Sequence, residues 1–266
     1  MSLMRQRRGV LTALPAYAAA TAELPRTAAP ADGVQGAVAV VPGSGDWWQG
    51  LLAARSGGAV AVVITDPGTL PWEALEARPW PGGIPVIVER PRLRSDVVAD
   101  AVRARRGSPA RIVTVECAAP AASLEGVIRD GFGWARSLGQ GPLTLQAGSA
   151  TTQGRIALLS SAGTAGAPVP TTLAATAAAA GPHGGGLLQV LALGEVRTEI
   201  TVDQPAGLMR LETSTEEGIL RAPERYESSA RLALRRALAA CSSGEPVADL
   251  DELLEDISLA AALLRS

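Results

Sequence analysis

The chain has 266 residues and a formal net charge of −2, which is long enough to bury the cores of two ordinary domains. Without a basic excess it lacks the electrostatic footprint of a nucleic-acid binder, and no nucleic-acid partner is expected. Its apolar runs are interrupted by Gly and Pro well short of the roughly 20 residues that a spanning helix needs, so no membrane partner is expected either. The basic stretch Met1–Arg8 is not followed by an apolar segment and cleavage site of secretory type. Cys117 and Cys241 lie far apart, which suits reduced thiols and a cytoplasmic location. Lysine is absent, so all 24 basic side chains are arginine, and histidine occurs once, at His183. Arginine can hold an anion but is a poor proton shuttle. Proton transfer would fall to carboxylates, to Tyr17 or Tyr226, or to His183.

The first thirty residues read in two ways, as a strand over Gly9–Leu14 with a helix over Tyr17–Leu24, or as an irregular Ala/Pro-rich arm. From Ala37 to about Ala118, β-branched runs at Ala37–Val41, Ala59–Thr65, Pro85–Glu89 and Arg111–Glu116 alternate with helical spacing at Asp46–Arg55, Pro71–Ala77 and Ser95–Arg105. Continuous Val/Ile runs separated by helices predict a parallel sheet covered on both faces.

After Leu143 the pattern changes. Val196, Thr198, Ile200 and Val202 share one face of a strand and Arg197, Glu199, Thr201 and Asp203 the other, the period of a sheet with one wet side. Ala206-Gly207 turns the chain into a partner strand at Leu208–Thr213, and Arg155–Ser160, Thr171–Ala177 and Leu187–Leu193 read as further strands. Two helices close the chain. Pro223–Cys241 carries Tyr226, Ala230, Ala233, Leu234, Ala237 and Leu238 on one stripe, and the second has Asp249 as N-cap with Glu252 three residues on. The prediction is an α/β protein: a Rossmann-like parallel domain over 1–118, then an α+β domain over 119–266 with an open, mostly antiparallel sheet.

Several segments carry a resemblance. Gly83-Ile84-Pro85-Val86-Ile87-Val88-Glu89-Arg90-Pro91 resembles the strand and Glu-Lys-Pro turn of the Gfo/Idh/MocA oxidoreductases, with Arg90 where the family has lysine. Ala61-Val62-Val63-Ile64-Thr65-Asp66-Pro67 resembles the family's strand ending in Ala-Thr-Pro-Pro beside the nicotinamide. Gly244-Glu245-Pro246 and the apolar helix after it are similar to the family's terminal turn and last helix, and Glu195–Glu212 to its paired strands. The resemblance covers residues 34–118 and 187–266. It implies an NAD(P) cofactor across the first domain, contacts from Thr65, Asp66, Pro67 and Glu89, and catalysis at Arg90 and Asp130.

The departures set the functional expectation. The family's Gly-x-Gly-x-x-Gly loop, in which glycines let the backbone approach the cofactor pyrophosphate, has no counterpart between Met1 and Val34. The segment Gly126–Trp134, where the resemblance implies a catalytic histidine and aspartate, supplies Asp130 and no histidine. Gly43-Ser44-Gly45-Asp46 can be set against a dinucleotide fingerprint with Asp66 beyond it, but Trp48 occupies the third glycine's position, and the competing reading is a turn with Asp46 as N-cap. Arg90 reads either as an anion contact at the strand ends or as a turn residue pairing with Glu89. His183, in a Gly-rich loop, reads as solvated, and Trp47 and Trp48 as divided between core and surface.

The expectation is therefore a shortened, divergent relative with reduced or lost dehydrogenase chemistry, binding NAD(P) weakly or not at all and acting as a binding or partner subunit. Two alternatives stand beside it: a working NAD(P)-dependent sugar or polyol dehydrogenase using a carboxylate or tyrosine for the proton, and a non-redox regulator that binds a small molecule. A homodimer through the second-domain sheet is expected, with Thr198, Ile200 and Val202 or the opposite row at the interface.

Overall fold

A computed structural model describes residues 7–70, 83–163, 167–179 and 185–265. The expected helix over Pro71–Ala77 and the loop containing His183 lie outside the described residues. In chain order the helices are α1 (Pro15–Ala22), α2 (Trp47–Ser56), α3 (Ser95–Ala104), α4 (Ala121–Gly139), α5 (Ser229–Ser243) and α6 (Asp249–Arg265). The chain divides into two compact units, Met1–Pro91 with Arg225–Leu254, and Arg92–Glu224 with Glu255–Ser266.

The first unit is built on β1 (Arg8–Leu11), β2 (Ala28–Pro30), β3 (Val38–Pro42), β4 (Ala61–Thr65) and β5 (Val86–Glu89), all parallel in the order β2-β1-β3-β4-β5. The strand-and-helix reading of the first thirty residues is therefore the one the fold adopts. Val10, Val38, Val40, Val63 and Ile87 point to one face and are covered by Tyr17 and Ala20 of α1 and by Ala233, Leu234 and Ala237 of α5. Val41 points the other way, so close to α2 that a Cβ at Gly50 would lie 2.8 Å from its methyl carbon. Trp47 and Trp48 are both buried, rather than divided between core and surface, and meet edge to face at 5.8 Å.

Two expectations about the closing helices change. α5 starts at Ser229, capped by the Ser228 hydroxyl accepting from the Arg231 N–H; Tyr226 precedes the helix and is 93% exposed rather than part of its buried stripe. α6 starts at Asp249 itself. The Asp249 carboxylate accepts from the N–H of Val88 on edge strand β5 (3.0 Å) and from both terminal nitrogens of Arg236 (2.7 Å each), so it holds a sheet edge instead of a capping box.

The second unit contains β6 (Ile112–Ala119), β7 (Leu143–Ala150), β8 (Gly154–Ser161), β9 (Val169–Ala177), β10 (Leu187–Leu193), β11 (Arg197–Asp203), β12 (Leu208–Thr215) and β13 (Gly218–Arg221), in the order β13-β12-β11-β10-β6-β9-β8-β7. Only the β6–β9 pair among these neighbours is parallel. The expected boundary at residue 118 differs from this division. β6 alternates buried Val113, Val115 and Cys117 with less buried Thr114 and Glu116 and belongs to the second sheet, while α5 returns to cover the first.

Helix α4 packs on one face of this sheet, where Ile128, Phe132, Trp134 and Ala135 meet Val115, Leu173, Val190 and Ile200. Gly131 permits that approach, since a Cβ there would lie 2.8 Å from Val115. Thr198, Ile200 and Val202 face this core and are buried, which removes them as an interface with a second copy. Arg197, Glu199, Thr201 and Asp203 point to the open face, as do Ile156 and Leu158, 57% and 50% exposed. Among the described residues no helix is long and apolar enough to cross a membrane.

Candidate functional site at the carboxyl edge of the parallel sheet

β1 is followed by β2 on one side and then by β3 on the other, so the winding reverses between β1 and β3. Open α/β sheets bind ligands in the crevice outside the carboxyl ends at such a reversal. Here that edge is formed by the segments after β1 (Thr12–Leu14), β3 (Gly43–Asp46), β4 (Asp66–Gly68) and β5 (Arg90 and Pro91).

The β3 and β4 segments are tied together. A Cβ at Gly43 would lie 2.0 Å from the Thr65 carbonyl oxygen, so only glycine allows the contact. The Gly43 N–H donates to Thr65 Oγ1 (3.3 Å), the Gly68 N–H to the Gly43 oxygen (2.8 Å), and Trp47 Nε1 to the Gly68 oxygen (3.1 Å). Asp66 takes a left-handed conformation at φ 40° and donates its N–H to the Glu89 carbonyl (2.8 Å). Thr65 and Glu89 are register partners across β4 and β5. Five sequence-predicted site residues, Thr65, Asp66, Pro67, Glu89 and Arg90, thus gather at one edge. Asp66 is exposed, Pro67 buried, and Arg90 only 6% exposed.

Tyr17, at the start of α1, is 1% exposed and donates its hydroxyl to Glu89 Oε2 at 2.6 Å. Burial first, and the Glu89 charge second, push the phenol far above its ordinary range, so it remains a donor. The sequence marks both residues as acid/base candidates. Their hydrogen bond, across 72 positions, has no local signal.

The turn after β1 has no glycine to bring its backbone close to a dinucleotide pyrophosphate. That group sits on free backbone N–H groups at a glycine-rich turn and a helix N-terminus. Here the turn is Thr12-Ala13-Leu14 with Pro15 opening α1, so one donor is missing outright. The Leu14 N–H is taken by Thr12 Oγ1 and the Tyr17 N–H by the Leu14 carbonyl. At the β3 turn, Asp46 caps α2 through the Gln49 N–H (3.1 Å), as the turn reading expects, which sets a carboxylate at that helix N-terminus.

Asp130 belongs to the second unit, on α4. It is fully buried, with Oδ2 accepting from Arg92 Nε (2.7 Å) and Oδ1 from Arg129 Nε and Nη2 (3.1 and 3.0 Å). Arg92 also donates to Gln204 Oε1 (2.7 Å), and Trp134 Nε1 donates to the Arg92 carbonyl (2.8 Å). Both carboxylate oxygens are occupied by guanidinium donors, which opposes a proton-shuttling role. Cys117 lies in the same core. Burial, then the Asp130 charge, push its thiol up while Arg92 pulls it down less strongly.

No protein-family model matches the chain, and no curated protein matches its sequence. Solved structures match along its length. The UDP-N-acetylglucosamine 3-dehydrogenase GnnA of Acidithiobacillus ferrooxidans aligns with TM-score 0.66 at 14% identity, covering 97% of this chain and 96% of that one. The dehydrogenase MviM of Clostridium difficile aligns with TM-score 0.64 at 8% identity, covering 97% and 98%. KijD10, a 3-ketoreductase of Actinomadura kijaniata solved with TDP-benzene and NADP, aligns with TM-score 0.62 at 14% identity, covering 97% and 96%. The chain has the fold of the Gfo/Idh/MocA-type oxidoreductases. At these identities the likeness is one of backbone, and it leaves the chemistry to the side chains just described.

Proposed function

We propose that this protein is a divergent Gfo/Idh/MocA-type chain with reduced or lost dehydrogenase chemistry, binding NAD(P) weakly or not at all and serving as a binding or partner subunit for a small-molecule ligand. The observation that supports this reading is the switch-point turn, which has no glycine, in which Pro15 has no N–H to offer and the Leu14 and Tyr17 amides are bonded internally. Arg90 supports it, because a guanidinium cannot take the hydroxyl proton that hydride transfer releases. The sealing of Asp130 between two arginines supports it too. The same reading takes the protein as a cytoplasmic homodimer paired through the open face of the second sheet.

The test is hydride transfer with NAD(H) and NADP(H) across a panel of nucleotide sugars and polyols. The expected outcome is no turnover above background, whereas a kcat on the order of 1 s⁻¹ or more, ordinary for an enzyme, would overturn the reading. If residual turnover exists, Arg90→Lys is expected to raise it, since a buried lysine can be tuned towards neutral pH and arginine cannot.

One observation favours a working dehydrogenase instead: the Tyr17–Glu89 hydrogen bond puts a donor and a carboxylate together at the ligand-binding edge. On that reading Glu89→Gln abolishes turnover in a chain that still folds.

A further inference from the structure

The second sheet ends at β13, and among the described residues no strand lies beyond it. Natural edge strands are blunted by proline, lysine or inward-pointing charges, because an open edge is a template for another chain. β13 instead carries Ile219 and Leu220, which are 74% and 66% exposed. The Ala222 N–H donates to the Leu211 carbonyl at 2.9 Å, and Leu220 lies opposite Thr213. Hydrogen-bonded and non-hydrogen-bonded positions alternate along an antiparallel pair. Leu220 and Ala222 therefore turn their backbone groups towards β12, and Ile219 and Arg221 turn theirs to the edge.

The sequence of this edge is complementary to itself. Glu217-Gly218-Ile219-Leu220-Arg221 sets opposite charges two residues to either side of Ile219. When two copies run antiparallel with Ile219 against Ile219, each Arg221 faces the partner's Glu217 and each Leu220 the partner's Gly218. A Cβ at Gly218 would meet nothing within 4 Å, so an incoming leucine finds open space there. Within one chain the two charges make long, exposed contacts that can be exchanged, 3.7 Å from Glu217 to Arg106 and 4.0 Å from Arg221 to Glu212. The neighbouring register, Ile219 against Arg221, sets the two Arg221 side chains diagonally together and Glu217 against Pro223, and gains no ion pair. We propose that β13 is a docking strand for a second copy of this chain, whose own β13 adds antiparallel about a two-fold axis at Ile219. Such a contact is isologous and closes on itself. Four residues on each side fall short of the roughly 1,000 Å² of a lasting interface. The association is therefore weak and reversible, adds to any pairing through the open face, and leaves no separate mass in dilute solution.

The experiment is disulfide trapping in the full-length chain at high protein concentration under mild oxidation. Directly opposed residues of a hydrogen-bonded antiparallel pair have Cα atoms about 5.5 Å apart, within the roughly 4.4–6.8 Å that a disulfide spans. Ile219→Cys is therefore expected to link into covalent pairs several times faster than Tyr226→Cys, although Tyr226 is 93% exposed and lies outside the strand. Adding Arg221→Glu to Ile219→Cys is expected to slow linking by roughly threefold or more, because two exposed ion pairs become two like-charge contacts. Adding Glu217→Arg as well is expected to restore it. All four positions are exposed, and a circular-dichroism melt checks that each variant folds. Equal linking rates for the two cysteine variants, or no restoration by the double charge swap in a folded protein, would overturn the proposal.

Discussion

Asp130 shows how far a residue's role depends on partners that sequence spacing does not reveal. It is an acid/base candidate because it falls in the segment resembling a catalytic motif, yet Arg92 reaches it from 38 positions away and is itself held by Gln204, 112 positions from Arg92. Only Arg129, its neighbour, was legible. Asp130→Ala would remove the carboxylate between two buried guanidinium groups, and breaking a buried pair in this way costs about 3–5 kcal/mol; urea denaturation should register that loss, and a change below about 1 kcal/mol would contradict the network. Tyr17 gives a pH-dependent counterpart. Its folded pKa is raised above the ordinary value of 10.0, so the folded state keeps a proton that the unfolded state releases. The resulting stability is present below about pH 10 and falls as the pH rises above it. Tyr17→Phe should flatten that alkaline decline in stability.

At the scale of elements, the strands of the first sheet were legible because β3, β4 and β5 are buried on both faces and therefore read as uninterrupted Val/Ile runs. β6 shows the limit of that signal. Its Val113, Val115 and Cys117 alternate with polar residues, the mark of the open sheet it joins, but its place after three parallel strands drew it into the first domain. The return of α5 to the first sheet was not legible either, since an amphipathic stripe states that a helix is covered and not by what. Ala233, Leu234 and Ala237 are buried against strands more than 140 positions earlier. A fragment ending at residue 118 would expose that face, and it is expected to lack a cooperative thermal transition by circular dichroism; a sharp melt would show that the first sheet does not need α5. In the intact chain, Leu234→Ala should cost about 2–5 kcal/mol as a buried large-to-small change.

For the whole molecule, the proposed dimer is one that pairs through the open face of the second sheet. Its exposed Ile156 and Leu158 lie on the half built by β7–β9, and its charged residues Arg197, Glu199 and Arg210 on the half built by β11 and β12. An isologous pairing of standard size would bury roughly 1,600 Å² in total. Light scattering is expected to give about twice the 27.1 kDa of one chain, and a concentration-independent mass of one chain would remove the dimer. The fold likeness to dehydrogenases and the residues at the switch point point in opposite directions on cofactor binding. Calorimetric titration of the purified protein with NADH and NADPH addresses it directly. No saturable binding is expected in the low-micromolar range, and a dissociation constant at or below roughly 10 μM, about −7 kcal/mol, would contradict a degenerate cofactor site.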